Sequence, residues 1–265
     1  MSDNSIEHLD VVVVGAGFAG MYAVYRANKD NRSVKCFEAG TDVGGTWYWN
    51  RYPGARVDIE CLEYSYSFDE TLQQEWEWTE RYAGQDEILS YAKHVAERYN
   101  LRDHIHFETR VESAIFNEET QRWEVKTNRG DHISAKFCFM ATGLISAPVD
   151  PDFEGLDGFK GEQYMTSRWP KEEIQFGGKR VGIVGTGSSG IQVISEIAEK
   201  CGELLVFSAR RHMSFRCKTI NSKTGRLKKS KANMTSCGHW KKRVLAGSPC
   251  CIPTCRRCLP SQLWS

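Results

Sequence analysis

No stretch of this 265-residue sequence approaches the roughly 18 consecutive apolar residues that a membrane-spanning helix needs, so a transmembrane class is set aside. The first ten residues, MSDNSIEHLD, lack the basic patch and apolar core of a secretory signal. The expected location is therefore cytoplasmic, with no membrane partner. A third absence is local. From Ser208 to Ser265 there is no Asp or Glu, while the same 58 residues hold 14 Lys plus Arg and six of the ten cysteines. All 34 acidic residues and 21 basic ones precede Ser208, so the near-neutral net charge of +1 hides an acidic body and a basic tail. Halves that differ this much in composition rarely form one folded unit. The body has an ordinary globular makeup, 40% hydrophobic and 26% charged.

What the body does contain is a twice-repeated pattern. Residues 10–20 read DVVVVGAGFAG: a valine run, a glycine turn, then a segment predicted helical from about Gly17 to Asn28. A second strand is expected over about 33–38. Strand, helix and strand within 30 residues open a doubly wound α/β sheet. Residues 86–99 carry apolar residues at helical spacing, segments 105–116 and 122–127 read as strands, and 136–141 is a further short apolar run. Residues 178–190, GKRVGIVGTGSSG, then restart the scheme, with a helix over about 188–200 and a strand over 204–207. After Phe207 no helical or strand period is visible, and residues 221–232 are polar and lysine-rich.

Gly15, Gly17 and Gly20 form the first fingerprint: a tight turn, a close approach of backbone to a pyrophosphate, and tight helix–strand packing. The free N–H groups and dipole of the following helix favour a phosphate there. Glu38, at the end of the next strand, is placed for a ribose 2′-hydroxyl, which favours FAD or NAD and disfavours a 2′-phosphate. Gly185, Gly187 and Gly190 form the second fingerprint, with Thr186, Ser188, Ser189 and Gln192 around them. Its strand ends without an acid and is followed by Arg210 and Arg211, which suit the 2′-phosphate of NADPH; membership of the basic tail accounts for them equally well. Two dinucleotide units in one chain are the arrangement of a flavoenzyme reduced by NADPH.

Five motifs, in order, then carry a resemblance: GGTWYWNRYPGARVDIE from Gly44, RYAGQDEIL from Arg81, ATG from Ala141, FKGEQYMTSRWP from Phe159 and GTGSSGIQ from Gly185. Over about residues 8–207 the sequence resembles the Baeyer–Villiger-type flavin monooxygenases. The family signature FxGxxxHxxxWP is matched at Phe159, Gly161, Trp169 and Pro170, but Met165 stands at the histidine position. A methionine cannot hydrogen-bond or titrate as a histidine does, so coupling to NADP is expected to suffer and flavin binding to persist. The resemblance implies FAD contacts from Gly45, Thr46, Trp47, Asp58, Tyr64 and Val111, and a nicotinamide-side contact from Arg56. It gives Asp58 the catalytic task of positioning an arginine that lies, in the family, in sequence with no counterpart here. Trp49 and Tyr52 are expected to be ordinary core aromatics. The implied reaction inserts one oxygen of O2 beside a ketone to give an ester or lactone, using FAD and NADP(H) and no metal.

The expected organisation is an FAD-binding domain over 1–150, a signature linker and the start of an NADP-binding Rossmann-type domain over 151–207, and an irregular basic, Cys-rich tail over 208–265. The break at Ser208 suggests a shifted reading frame, a retained intron or a gene-model error, leaving a truncated and impaired chain. Two further readings of the tail stay open. Cys251, Cys255 and Cys258, with Cys237 and His239, have part of the spacing of a zinc module but no clean second pair. The basic residues lack a recognisable nucleic-acid module, so no nucleic-acid partner is expected.

Overall fold

A computed structural model describes residues 6–208 and the backbone of 213–217. The described residues form two compact units. The first comprises residues up to Asn50 together with Asp86–Gln163; the second comprises Arg51–Gln85 and the described residues from Tyr164 onward.

In the first unit the strands are β1 (Glu7–Val14), β2 (Val34–Phe37), β3 (Ile105–His106), β4 (Val111–Asn117), β5 (Arg122–Thr127) and β6 (His132–Met140). They make one sheet in the order β3-β2-β1-β6-β5-β4. β3, β2, β1 and β6 run parallel, and β5 and β4 close the far edge as antiparallel strands. β1 is central because Val11, Val12 and Val13 are all buried, as a strand with both faces covered requires. Helix α1 (Phe18–Lys29) returns from β1 to β2 and buries Gly20, Met21, Val24 and Ala27 on one face. The segment expected as one strand over 105–116 is broken. β3 pairs parallel with β2, and the chain then turns through Glu108, at φ 53, before β4 pairs antiparallel with β5. A short helix α2 (Thr46–Trp49) follows β2.

In the second unit a short helix α3 (Glu70–Glu75) follows residues 51–69. Helix α4 (Gln85–Arg98) begins at the last residue of that segment, belongs otherwise to the first unit, and buries Ile88, Tyr91, Ala92, Val95 and Ala96. The second fingerprint lies on β7 (Arg180–Val184), α5 (Ser188–Ile197) and β8 (Glu203–Ser208). β7 and β8 are parallel. A further strand, β9 (Met213–Cys217), pairs antiparallel with β8, where no strand was expected. Val193, Ile197, Cys201, Leu204 and Val206 form this unit's core. Burial of each of its Val, Ile and Leu side chains contributes about 1.5–3 kcal/mol. Among the described residues no helix is long and apolar enough to cross a membrane.

Candidate functional site

Each fingerprint folds into the strand–turn–helix that its sequence prescribes. In the first unit Gly15 has φ 98, and a Cβ there would lie 2.6 Å from the carbonyl oxygen of Ala141. A Cβ on Gly20 would lie 1.8 Å from the Gly15 carbonyl oxygen, so the third glycine is required by the packing of α1 on β1. Gly17 caps α1 without a side-chain bond of its own. This leaves the first-turn amides in the arrangement that accepts a phosphate.

Glu38 follows β2 directly and is 5% exposed. One carboxylate oxygen accepts the Ala16 amide at 2.7 Å and the other accepts the Gly40 amide at 2.7 Å. A carboxylate accepts about four hydrogen bonds, so acceptor capacity remains for a ligand hydroxyl. The Gly44–Trp47 stretch closes over the same turn. Gly45 has φ 53, and a Cβ on it would lie 2.8 Å from the Gly17 Cα. Thr46 opens α2, and Trp47 is buried. The loop is tied from outside by Asp42, which pairs with Lys93 at 3.1 Å and Arg102 at 2.7 Å. Burial works to raise the Asp42 pKa, but these two cations and the Val43 amide hold it below the ordinary carboxylate value. Gly15, Gly17, Gly20, Glu38, Gly45, Thr46 and Trp47 are thereby brought together. Val111 stands instead on the edge strand β4 and packs against the sheet core of Val12, Phe37, Val125, Ile133 and Ala135.

In the second unit Gly185 has φ 107, Gly187 caps α5, and a Cβ on Gly190 would lie 2.6 Å from the Gly185 carbonyl oxygen. The geometry of the first turn is thus repeated. Thr186 and Ser208 bring their hydroxyls to 3.3 Å of each other. Gln192, 4% exposed, accepts a hydrogen bond from the Tyr52 hydroxyl at 2.9 Å. Its amide nitrogen donates to the Arg56 carbonyl at 3.1 Å and to Asp58 Oδ1 at 3.3 Å. The Tyr52 phenol's pKa is raised, by burial first and then by the Asp58 charge, against a lowering effect of Ser189. Gly54 has φ 77, and a Cβ there would lie 2.7 Å from the Gln192 carbonyl oxygen. The segment 52–58 therefore lies directly on α5.

The opposite side of that segment is held by the RYAGQ motif. The Val57 amide donates to Ala83 at 3.1 Å, the Gln85 amide donates to Ala55 at 2.8 Å, and Arg56 and Gly84 form an antiparallel bridge. The Arg56 guanidinium donates to Glu80 at 3.1 Å and to the Tyr82 carbonyl at 3.3 Å. Asp58 is exposed. Tyr64 closes the 3-10 turn Cys61–Tyr64 of this unit and is half-buried.

Two expectations about aromatics separate here. Tyr52 does pack against the second unit's core, but Trp49 is 42% exposed and meets Tyr48 edge-on at 4.9 Å. The four-residue helix α2 buries Trp47 and Tyr48 and leaves its last residue on the outer side. The roles of Tyr52 and Gly54 went unread in the sequence, although the Pro53–Gly54 pair is a turn signal. Arg210 and Arg211, and the tail residues Cys237, His239, Cys251, Cys255 and Cys258, lie outside the described residues.

Comparison with known proteins agrees with these two turns. The family model for flavin-binding monooxygenase-like proteins matches residues 8–222, running past Ser208. The acetone monooxygenase (methyl acetate-forming) of Gordonia sp. (strain TY-5) is 46% identical over 199 residues, covering 75% of this chain and 37% of the relative. A Baeyer–Villiger monooxygenase of Pseudooceanicola batsensis is also 46% identical over 199 residues, covering 75% of this chain and 36% of the relative. A solved structure described as an oxidized steroid monooxygenase bound to NADP superposes with TM-score 0.73 at 55% identity, over 75% of this chain and 38% of that one. The chain thus spans well under half the length of the relatives it matches. It belongs to the flavin-binding monooxygenase-like family.

Proposed function

We propose that this chain carries the FAD-binding elements and the opening of the NADP-binding elements of a monooxygenase that inserts one oxygen of O2 beside a ketone carbonyl. Glu38 carries this reading. A buried carboxylate, fixed by two backbone amides beside a turn that admits no Cβ at Gly15 or Gly20, suits the ribose hydroxyls of a dinucleotide without a 2′-phosphate. The second turn has Ser208 rather than an acid at the end of its strand, which leaves room for the 2′-phosphate of NADP. The relatives' names supply the substrate class, since the acetone monooxygenase forms methyl acetate.

When bound, FAD supplies hydride acceptance from NADPH and activation of O2. The chain's own residues then have distinct tasks. The first-turn amides of α1 hold the pyrophosphate, and Glu38 fixes the ribose. Gly45, Thr46 and Trp47 cover the Gly17 side of the turn and exclude water from it. Residues 1–150 are assigned to FAD binding, 151–207 to the signature linker and the start of NADP binding, and 208–265 to a basic tail. Tyr64 and Val111 are assigned to the flavin side, Arg56 to the nicotinamide side and Asp58 to positioning near the reacting atoms.

The test is titration of the purified chain with FAD, followed by flavin fluorescence, and then NADPH consumption with acetone or cyclohexanone and chromatographic detection of the ester. Saturable FAD binding that is lost in Glu38→Ala supports the reading. Absence of FAD binding by the folded chain overturns it.

A further inference from the structure

Gln192 lies in the second fingerprint motif, yet its side chain is spent on the chain itself. It is 4% exposed, and its amide is engaged by the Tyr52 hydroxyl, the Arg56 carbonyl and Asp58 Oδ1. It sits in the second turn of α5, beyond the first-turn amides that a phosphate meets. Ser189 lies three residues earlier on the same helix face.

We infer that Gln192 is a positioning residue and not a dinucleotide contact: it clamps the Tyr52–Asp58 strap to α5, so that a ligand on the Gly185–Gly190 turn and the strap bearing Arg56 and Asp58 order one another. This rests on the reading that the turn takes NADP(H). The strap is seated on α5 by these bonds and by a close backbone approach. Gly54 brings its backbone so near α5 that a Cβ there would lie 2.7 Å from the Gln192 carbonyl oxygen, and the polar clamp holds only while Tyr52, Arg56 and Asp58 all stay in register. A phosphate that orders the start of α5 orders Gln192 one turn on, and through its hydrogen bonds the strap. The coupling is reciprocal, so a strap that is seated tightens the dinucleotide by the same factor.

The experiment is hydrogen–deuterium exchange of the full chain with and without NADP+, alongside calorimetric NADP+ titration. It uses wild type, Gln192→Met (near-isosteric, without the hydrogen bonds) and Tyr52→Phe (which loses one hydroxyl). NADP+ is expected to slow exchange across 51–58 in wild type. Gln192→Met is expected to abolish that slowing and weaken NADP+ by about three- to tenfold, the scale of one or two lost hydrogen bonds; Tyr52→Phe is expected to act in the same direction by less. NADP+ binding to wild type that leaves the strap's exchange unchanged overturns the inference alone. So does a Gln192→Met chain that melts lower yet keeps both the NADP+-induced slowing and the affinity, because that is a purely structural role. A folded wild-type chain that binds no NADP+ overturns the reading of the turn, and the inference with it.

Discussion

Glu38 and Ala16 are joined by a hydrogen bond of 2.7 Å from the Ala16 amide to the Glu38 carboxylate, which ties the end of β2 to the turn between Gly15 and Gly17. The partner oxygen accepts the Gly40 amide, so both positions require an acceptor. Glu38→Gln keeps the shape but turns an N–H2 group toward one of two buried donors. The expected cost is about 1–3 kcal/mol of stability, with FAD affinity lower by about tenfold. Urea unfolding and flavin fluorescence measure the two effects; a variant unchanged in both removes Glu38 from the site.

The glycines of each fingerprint divide into two classes, and substitution separates folding from binding. A Cβ on Gly20 or Gly190 would lie 1.8 or 2.6 Å from a backbone oxygen of its own turn. Gly20→Ala and Gly190→Ala are expected to destabilise their units by about 3 kcal/mol or more. A Cβ on Gly187 meets nothing within 4 Å, and one on Gly17 meets the Gly45 Cα at 3.4 Å. Both residues have extended backbone at negative φ. Gly17→Ala and Gly187→Ala are therefore expected to fold, at a cost of about 1 kcal/mol or less. Each is expected to weaken its own dinucleotide by at least about tenfold, because the methyl occupies the path of the pyrophosphate. Thermal melts paired with FAD and NADP+ titrations test this; a Gly187→Ala chain that binds NADP+ as wild type does would show that the backbone there makes no close approach to ligand.

The two turns were legible in the sequence because their chemistry is local: a valine run, glycines at fixed offsets, an acid one strand later. What escaped depends on contacts between distant segments. Tyr52 and Gln192 are 140 residues apart, and nothing in the period of residues 51–58 announces that they lie on α5. Trp49 was expected in the core, but a four-residue helix presents only part of its surface to the interior. The break between β3 and β4 was hidden because residues 105–116, IHFETRVESAIF, go on alternating in strand fashion through a change of pairing from parallel to antiparallel. β9 does carry an alternating signal, Met213-Ser214-Phe215-Arg216-Cys217, which the surrounding basic residues obscured.

Asp42 gives the first-site loop a dependence on pH. Its folded pKa is lowered, so its contribution to stability is complete above the unfolded carboxylate value of about 3.9 and is lost as pH falls through the lower folded value. Asp42→Asn is expected to be less stable than wild type at pH 7 by about 0.5–1 kcal/mol, given that Lys93 and Arg102 are partly solvated. The two chains are expected to converge in strong acid. Urea unfolding across pH 2–7 measures it; a stability gap that stays constant to pH 2 would show that the ion triad is not its source.

Trp169, the tryptophan of the signature motif, packs against the core of the second unit and lies between Tyr164, at 5.7 Å, and Phe176, at 6.4 Å. Its ring is half-buried, so Trp169→Ala is expected to cost about 1–3 kcal/mol, less than loss of a fully enclosed ring. Because its contacts lie within the unit that holds the Gly185–Gly190 turn, NADP+ affinity is expected to fall and FAD affinity to hold. Trp169→Phe restores a ring against Phe176 and is expected to recover most of the stability. Parallel FAD and NADP+ titrations on the two variants decide the point. If FAD binding falls as far as NADP+ binding in Trp169→Ala while Trp169→Phe restores neither, the residue acts on the flavin side and the packing role assigned to it is wrong.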